Sequence, residues 1–236
     1  MAKKRLGQKN RVVMSRMGNS RLRVRTIFRP VVNPIASTFA RLGLTPNMIT
    51  AFGAFLATTT PFLMASNQYV LFGIMVFFVG LMDGVDGAVA RMTKGSTKWG
   101  GFLDSLLDRY GDSIILISYL FNSLAAPLGE TEIFFVQVRI WICIALAGFL
   151  MVSYIRAKAE ATGVEDSDIG IGARSERLLI LSVAGILGLF NEYVVIYGLI
   201  IAAILANITA LQRLFHSYKI LKKREKDLRQ HPKKNV

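Results

Sequence analysis

Residues 83–108 read DGVDGAVARMTKGSTKWGGFLDSLLD, and apolar runs lie before and after this stretch. A helix turns about 100° per residue, so Asp83 and Asp86 lie within about 60° of each other on one helix face. Gly87 and Arg91 lie on the same side of that helix. Carboxylates inside an apolar span are unfavourable by roughly 3 kcal/mol each on insertion scales, and they usually mark function. The stretch therefore predicts a helix that presents two acids, a glycine and a guanidinium to one neighbour.

The second half of the stretch predicts a matching helix. Gly100, Asp104 and Asp108 follow one another at four-residue steps and therefore form one ridge of a helix. Consecutive helices joined by a short loop are expected to pack as antiparallel neighbours, and small residues at their contact allow a close approach. We therefore expect the four aspartates of the two helices to converge.

Four converging carboxylates predict a metal centre, because they cannot all stay ionised in a low-dielectric site without cations. Ligands that are all oxygen select hard ions such as Mg²⁺ or Mn²⁺ over zinc. Four carboxylates suit two ions, about 3.5–4 Å apart, that clamp a phosphoryl group. Arg91 suits a bidentate contact with a phosphate that bridges the site. A cation pathway also uses membrane carboxylates, but it does not explain the small residues and the arginine beside them.

The composition predicts a membrane protein. The chain has 236 residues, is 53% hydrophobic and carries a formal net charge of +14. Soluble folds seldom combine such values, whereas apolar spans with basic loops that face an anionic leaflet combine them readily. A nucleic-acid-binding protein would explain the charge but not the apolar runs, so no nucleic acid is expected as a partner.

The apolar runs predict an all-α integral membrane protein with six transmembrane helices. Each run is close to the roughly 20 residues that cross a bilayer. All Lys and Arg residues except Arg139 lie on one side of these runs or at the adjacent helix ends. The positive-inside rule then places both termini and the aspartates on the cytoplasmic side. The predicted spans lie near 48–66, 70–91, 102–125, 133–157, 177–191 and 193–214.

The segments outside the spans differ in composition. Residues 1–20 are basic and polar, and we expect them to be mobile or loosely attached to the membrane surface. Over residues 22–42 apolar residues recur at helical spacing between arginines, which predicts an amphipathic juxtamembrane helix that Pro30 and Pro34 break or bend. The predicted organisation is a basic N-terminal segment over 1–20, a membrane domain over 21–217 and a basic C-terminal tail over 218–236.

The pattern D-x2-D-G-x2-A-R-x8-G-x3-D-x3-D, filled at every fixed position by residues 83–108, resembles the signature of the CDP-alcohol phosphotransferases. The resemblance extends from residues 43–47 to residues 212–213 and is most like the phosphatidylinositol phosphate synthases of actinobacteria. It implies a homodimer in a bacterial cell membrane, with a cytoplasm-facing cavity open to lipid. It also implies two Mg²⁺ or Mn²⁺ ions per subunit.

The resemblance further implies roles for individual residues. One ion would be held by Asp83, Asp86 and Asp104, and the second by Asp83, Asp104 and Asp108, with Asp108 also acting as general base. The CDP moiety would be contacted by Asn47, Met48, Ile49, Thr50, Gly87, Arg91 and Thr97. Independently of the resemblance, residues 47–50 are expected to begin a helix, and the free N–H groups at a helix start favour phosphate binding. The acceptor phosphate would be bound by Ser153, Arg156, Arg174, Arg177 and Arg213, although each basic group alone is also explained as a positive-inside anchor.

The expected reaction transfers the phosphatidyl group of CDP-diacylglycerol to 1D-myo-inositol 3-phosphate and gives phosphatidylinositol phosphate and CMP. Glycerol 3-phosphate, which would give phosphatidylglycerol phosphate, is the main alternative acceptor. Archaetidyl lipids, serine and inositol itself are further options within the family. A cation transporter is the alternative from another class of protein.

Overall fold

The fold is mainly helical. The structure is a computed structural model and describes residues 27–93, 97–125, 132–133, 136–164 and 169–230. Two short 3₁₀ turns cover Tyr119–Phe121 and Ser123–Ala125, and the strands β1 (Glu132–Ile133) and β2 (Val136–Gln137) form a small antiparallel pair. The helices are α1 (Arg29–Arg41), α2 (Pro46–Ala65), α3 (Tyr69–Thr93), α4 (Lys98–Ser118), α5 (Val138–Ala161), α6 (Arg174–Leu187) and α7 (Tyr193–Gln230).

Four of the described helices are long and apolar enough to cross a membrane. They are α2, α3, α5 and the part of α7 over Tyr193–Asp227. The predicted helical class is confirmed, and these four helices are candidate membrane spans. Helices also lie at the two other predicted spans, but α4 carries several charged residues and α6 has only 14 residues.

The helix boundaries depart from the predicted spans for local reasons. Thr45 and Thr97 cap α2 and α4 with their hydroxyl groups, so these helices begin earlier than 48 and 102. The fourth predicted span begins at Val138 instead of 133, because residues 132–137 include the strand pair. Within the third predicted span, the α-helix ends at Ser118, and the chain continues as two 3₁₀ turns.

The last helix, α7, is 38 residues long and runs past the predicted end of its span at 214 to Gln230. It therefore crosses the boundary predicted at 217–218 without a break. In the basic C-terminal part of α7, Arg224 Nη2 donates a 2.7 Å hydrogen bond to the carbonyl oxygen of Gly163, just after α5. The basic extension of α7 thus contacts the chain that leads from α5 to α6.

Helix α1 forms the described part of the predicted amphipathic helix. Pro30 lies in its first turn, where a missing N–H breaks no helical bond, and Pro34 lies inside the helix. The helix therefore continues through both prolines. Val32 and Ala36 are buried, and a Cβ added at Gly84 of α3 would lie 3.3 Å from Val32 Cγ2. Residues 1–26, which include the predicted N-terminal segment, lie outside the described residues.

Two glycines let α3 and α6 touch backbone to backbone. A Cβ added at Gly185 would lie 2.7 Å from Gly73 Cα, and one added at Gly73 would lie 2.5 Å from the Ser182 carbonyl oxygen. Small residues of this kind allow close helix contact in membranes. The crossing fixes α6 against α3 and thereby positions the N-terminal turn of α6.

This contact predicts that Gly185→Ala lowers the stability of the folded chain by about 1–3 kcal/mol, because the new methyl group meets backbone atoms that cannot move aside. The matched control is Gly101→Ala, since a Cβ at Gly101 has no heavy-atom neighbour within 4 Å among the described residues. The midpoint of thermal unfolding in detergent measures the difference. Equal midpoints for the two variants would contradict the close crossing.

Candidate active site

Three of the four predicted aspartates converge in the structure. Asp83 on α3 and Asp104 and Asp108 on α4 each offer a carboxylate oxygen, and the three atoms lie within 4.8 Å of one another. All three residues are half-buried. We call this group the carboxylate cluster. It forms because the four-residue step on α4 places two acids on the ridge that faces Asp83.

Asp86 lies next to the carboxylate cluster but outside it. It is 5% exposed, and its Oδ2 accepts a 2.7 Å hydrogen bond from Thr50 Oγ1 on α2. Asp83, Asp86 and Asp108 line one small cavity together with Thr50. The angular offset of Asp86 from Asp83 on α3 therefore turns this acid towards the start of α2.

Arg174, the first residue of α6, inserts its guanidinium among the acids. Its Nη1 lies 3.0 Å from Asp83 Oδ1 and 2.9 Å from Asp108 Oδ1, and its Nε donates a 2.9 Å hydrogen bond to Asp112 Oδ1. The Arg174 side chain is only 18% exposed. A buried positive charge at this position balances the clustered carboxylates. The sequence analysis predicted that Arg174 binds the acceptor phosphate, and the structure shows that it also contacts the acids.

The donor atoms of the carboxylate cluster fit a divalent metal ion. They are all carboxylate oxygens at close spacing, which suits hard ions such as Mg²⁺ and Mn²⁺. The guanidinium between Asp83 and Asp108 shows that the site attracts positive charge. Asp86 is near enough for its charge to act on Asp83 and Asp104, so the negative potential extends across the α2 side as well.

The starts of α2 and α4 lie together beside the acids. A Cβ added at Gly100 would lie 2.9 Å from Asn47 Oδ1 and 3.0 Å from Thr97 Oγ1, so a larger residue at this position of the motif would require these side chains to move. Thr97 also caps α4 by accepting a 2.9 Å hydrogen bond from the Gly100 N–H. The structure thus brings Asn47, Thr97 and, through Asp86, Thr50 to one side of the site. The residues between them differ, because Met48 is exposed and Ile49 is buried in the core.

A cavity of about 570 Å³ opens on the other side of Asp83, between α1, α3 and α6. Its lining combines apolar side chains with polar groups, a combination that suits an amphiphilic ligand. Arg91 lines this cavity, whereas the half-buried Gly87 is not among the lining residues. The polar lining residues are Arg29, Asn33, Asp83, Arg91 and Ser175, and the apolar ones include Phe28, Val76, Phe77, Leu178 and Leu179.

Two of the predicted acceptor-site arginines are buried near Arg174. Arg177 is 1% exposed, with its guanidinium carbon 4.0 Å from the centre of the Phe149 ring. Its Nε and Nη1 have no hydrogen-bond partner among the described residues. Arg213 is 6% exposed and donates hydrogen bonds to the carbonyl oxygens of Ile169 (2.9 Å) and Val152 (3.0 Å). The positive charges of Arg174 and Arg213 both act on Arg177.

The remaining two predicted acceptor-site residues have different surroundings. Arg156 forms an ion pair with Glu160 on the surface of α5, with Nε and Oε1 2.9 Å apart and the arginine side chain 47% exposed. Ser153 is half-buried on the same helix. The structure therefore places Arg174 at the acids, with Arg177 close enough to both Arg174 and Arg213 for their charges to act on it, and pairs Arg156 with a local acid.

The sequence analysis missed Asp112. This residue is 7% exposed and holds the guanidinium of Arg174. Its position carries a signal, because Gly100, Asp104, Asp108 and Asp112 continue one series of four-residue steps. The sequence analysis predicted metal ligands only as far as Asp108 in this series.

Comparison with known proteins assigns this site to a family. A family model described as CDP-alcohol phosphatidyltransferase matches residues 43–211. The archaetidylinositol phosphate synthase of Pyrococcus horikoshii is 34% identical over 199 residues, which cover 84% of this chain and 97% of that protein. The phosphatidylinositol phosphate synthase of Mycobacteroides abscessus is 29% identical over 193 residues, which cover 80% of this chain and 84% of that protein.

Solved structures give the same result. The crystal structure of the Mycobacterium tuberculosis phosphatidylinositol phosphate synthase with CDP-DAG bound matches with a TM-score of 0.68 at 29% identity, covering 80% of this chain and 94% of that chain. The same enzyme in complex with manganese and citrate matches with a TM-score of 0.66 at 30% identity, covering 79% and 88%. The family resemblance drawn from residues 83–108 is confirmed.

The hydrogen bond between Thr50 and Asp86 predicts the result of a small substitution. Thr50→Val removes a partner from a buried carboxylate and should destabilise the chain by roughly 1.5–3 kcal/mol, as for other hydrogen bonds to charged groups. Thr50→Ser keeps the hydroxyl group and is the matched control. Thermal unfolding of the metal-free protein in EDTA measures the effect. If the valine variant unfolds at the same temperature as the serine variant, the bond does not contribute to stability.

Proposed function

We propose that this chain, which belongs to the CDP-alcohol phosphatidyltransferase family, transfers the phosphatidyl group of CDP-diacylglycerol to 1D-myo-inositol 3-phosphate. The chain is a CDP-alcohol phosphotransferase of phospholipid biosynthesis. The observation that carries the proposed substrates is the position of Arg174, which contacts the carboxylate cluster and whose charge also acts on the buried Arg177. A site for phosphoryl transfer thus adjoins a site with excess positive charge.

The carboxylate cluster would hold the metal, with Asp86 completing the ligand set on the α2 side. A divalent ion bound there would polarise the diphosphate of the donor and neutralise the negative charge of the leaving CMP. We propose two ions, Mg²⁺ or Mn²⁺, per subunit. The spacing of the three oxygens supports a divalent ion at this site, as does the manganese in the related M. tuberculosis structure, and the count of two follows from the family resemblance.

Asp108 would act as the general base. Its side chain is 15% exposed and its Oδ1 points into the site, 2.9 Å from Arg174 Nη1. In this position it can accept the proton of the acceptor hydroxyl as the hydroxyl oxygen attacks the β-phosphorus of the donor. The new P–O bond forms on the acceptor, the P–O bond of the diphosphate breaks, and CMP leaves.

The donor would bind across both sides of Asp83. The cytidine diphosphate would contact the starts of α2 and α4, where free N–H groups favour phosphate. The diacylglycerol would extend from the 570 Å³ cavity, whose apolar lining suits acyl chains. The residues that we propose for the CDP moiety are Asn47, Met48, Ile49, Thr50, Gly87, Arg91 and Thr97.

The acceptor phosphate would bind to the arginines behind Arg174. Arg177 is buried, and two of its nitrogen atoms have no hydrogen-bond partner among the described residues, so a phosphate there would both pair with the charge and accept hydrogen bonds. Two related proteins are named as synthases of inositol phosphate lipids. The proposed acceptor site consists of Ser153, Arg156, Arg174, Arg177 and Arg213.

The second candidate function is the same reaction with a different donor lipid. The P. horikoshii relative is named as an archaetidylinositol phosphate synthase and is 34% identical to this chain, which favours a CDP-activated archaeal lipid with the same acceptor. Glycerol 3-phosphate is the alternative acceptor. The family assignment leaves no support for a cation transporter.

We further propose six transmembrane helices in a bacterial cell membrane, with α1 at the membrane surface. Four helices meet the length and apolarity of spans, and the basic residues near the aspartates favour a cytoplasmic site and cytoplasmic termini. A homodimer, as the family resemblance implies, is part of the same proposal. The lipid partners of the protein would be the donor CDP-diacylglycerol and the surrounding membrane lipids.

The proposed reaction is tested by CMP release from CDP-diacylglycerol and from a CDP-activated archaeal lipid, each with inositol 3-phosphate or glycerol 3-phosphate. We expect activity with inositol 3-phosphate, its loss in EDTA and its return with Mn²⁺ or Mg²⁺. The preferred donor decides between the two lipid classes. Activity with glycerol 3-phosphate alone would overturn the proposed acceptor.

Arg177→Gln should raise the KM for inositol 3-phosphate by roughly 10- to 100-fold, the equivalent of one charged hydrogen bond. The KM for the donor should change little, because the donor binds on the other side of the carboxylate cluster. Arg139→Gln, near the start of α5, is the matched control with the same change in charge. An unchanged acceptor KM in the Arg177 variant would remove this residue from the acceptor site.

A further inference from the structure

The contacts of Arg174 with its three acids differ in kind. The contact between Nε and Asp112 Oδ1 is a hydrogen bond of 2.9 Å. Nη1 is as close to Asp83 and Asp108, but no contact of this nitrogen within the described residues has hydrogen-bond geometry. The interaction with Asp83 and Asp108 is therefore mainly ionic, and the directional bond of the guanidinium is the one with Asp112.

The position of Asp112 suits the binding of the Arg174 guanidinium. It is buried on α4, one turn beyond Asp108 and outside the carboxylate cluster. A buried carboxylate needs a compensating charge, and the guanidinium of Arg174 supplies it. The charge of Asp112 also acts on Arg177. Asp112 thus interacts with Arg174, which contacts the other acids, and also with the buried Arg177.

A metal ion and Arg174 draw on the same two carboxylates. Nη1 lies within 3.0 Å of one oxygen of Asp83 and one oxygen of Asp108, and the proposed function assigns both carboxylates to a divalent ion. Two cations at the same carboxylates repel each other strongly. The Nε bond to Asp112 does not use either oxygen, so the guanidinium can turn Nη1 away while it keeps this bond.

We propose that Asp112 is a positioning residue that retains Arg174 at the edge of the carboxylate cluster when a divalent ion takes Asp83 and Asp108. This inference rests on the proposed function. Asp112 neutralises the positive charge of Arg174 and holds the guanidinium through its Nε, beside the residues that would bind the ion. Without Asp112, the ionic contacts with Asp83 and Asp108 are the main contacts left to Arg174, and the arginine competes with the ion.

Mn²⁺ binding to the full chain in detergent, followed by the electron paramagnetic resonance signal of free Mn²⁺, tests this role. Asp112→Asn should weaken Mn²⁺ binding by about tenfold, within the range of measured coupling between sites. Arg174→Gln should tighten it, because the competing charge is gone. In the double variant the effect of Asp112→Asn should be at least about threefold smaller than in the parent, because the two residues are coupled.

Equal weakening by Asp112→Asn in both backgrounds would overturn the inference, since Asp112 would then act on the ion without Arg174. If Asp112→Asn does not fold, Arg174→Gln alone decides, because unchanged or weaker Mn²⁺ binding in that variant excludes competition. Glu192→Gln is the matched control for the loss of one negative charge. Glu192 accepts hydrogen bonds from Ser123 (2.9 Å) and Tyr69 (3.2 Å) at the opposite end of α3 and should leave Mn²⁺ binding unchanged.

The same titration separates this inference from the proposed function. If the parent chain binds no Mn²⁺, or if Asp104→Asn leaves the binding unchanged, the metal site of the proposed function is wrong. If the parent binds Mn²⁺ through Asp104 but the two single variants are additive, only the role of Asp112 is wrong.

Discussion

Negative charge that is gathered among apolar helices must be compensated, and in the structure the acids are contacted from two other helices. Arg174 contacts Asp83, Asp108 and Asp112 from α6, and Thr50 donates to Asp86 from α2. Each partner lies on a different helix, so the acids can be accommodated only if these helices pack closely. The glycine contact between α3 and α6 and the contact at Gly100 between α2 and α4 meet this condition.

The first turn of α6 connects the parts of the site. Arg174 extends to the acids, Ser175 lines the 570 Å³ cavity, and Arg177 lies against Phe149. Glu176 caps the same turn by accepting a 2.8 Å hydrogen bond from the Ala173 N–H. Side chains of one helical turn thus contact the acids, the 570 Å³ cavity and the Phe149 ring.

Local spacing explains what the sequence could predict. The four-residue steps on α4 and the angular offset on α3 were sufficient to expect convergence of the acids, and they also account for the turn of Asp86 towards α2. The partner of these acids was not predictable, because Arg174 lies 62 residues after Asp112 and its side chain could equally face a phosphate. The boundaries of the helices depended on capping side chains and on the strand pair before α5, which hydropathy does not register.

The continuous helix α7 has a mechanical consequence. At 1.5 Å per residue its 38 residues extend about 57 Å, almost twice the apolar thickness of a bilayer. Its C-terminal part therefore extends beyond what the apolar core of a bilayer can cover, and Arg224 attaches that part to the carbonyl oxygen of Gly163. A displacement of the C-terminal part of α7 would thus be transmitted to the turn that follows α5.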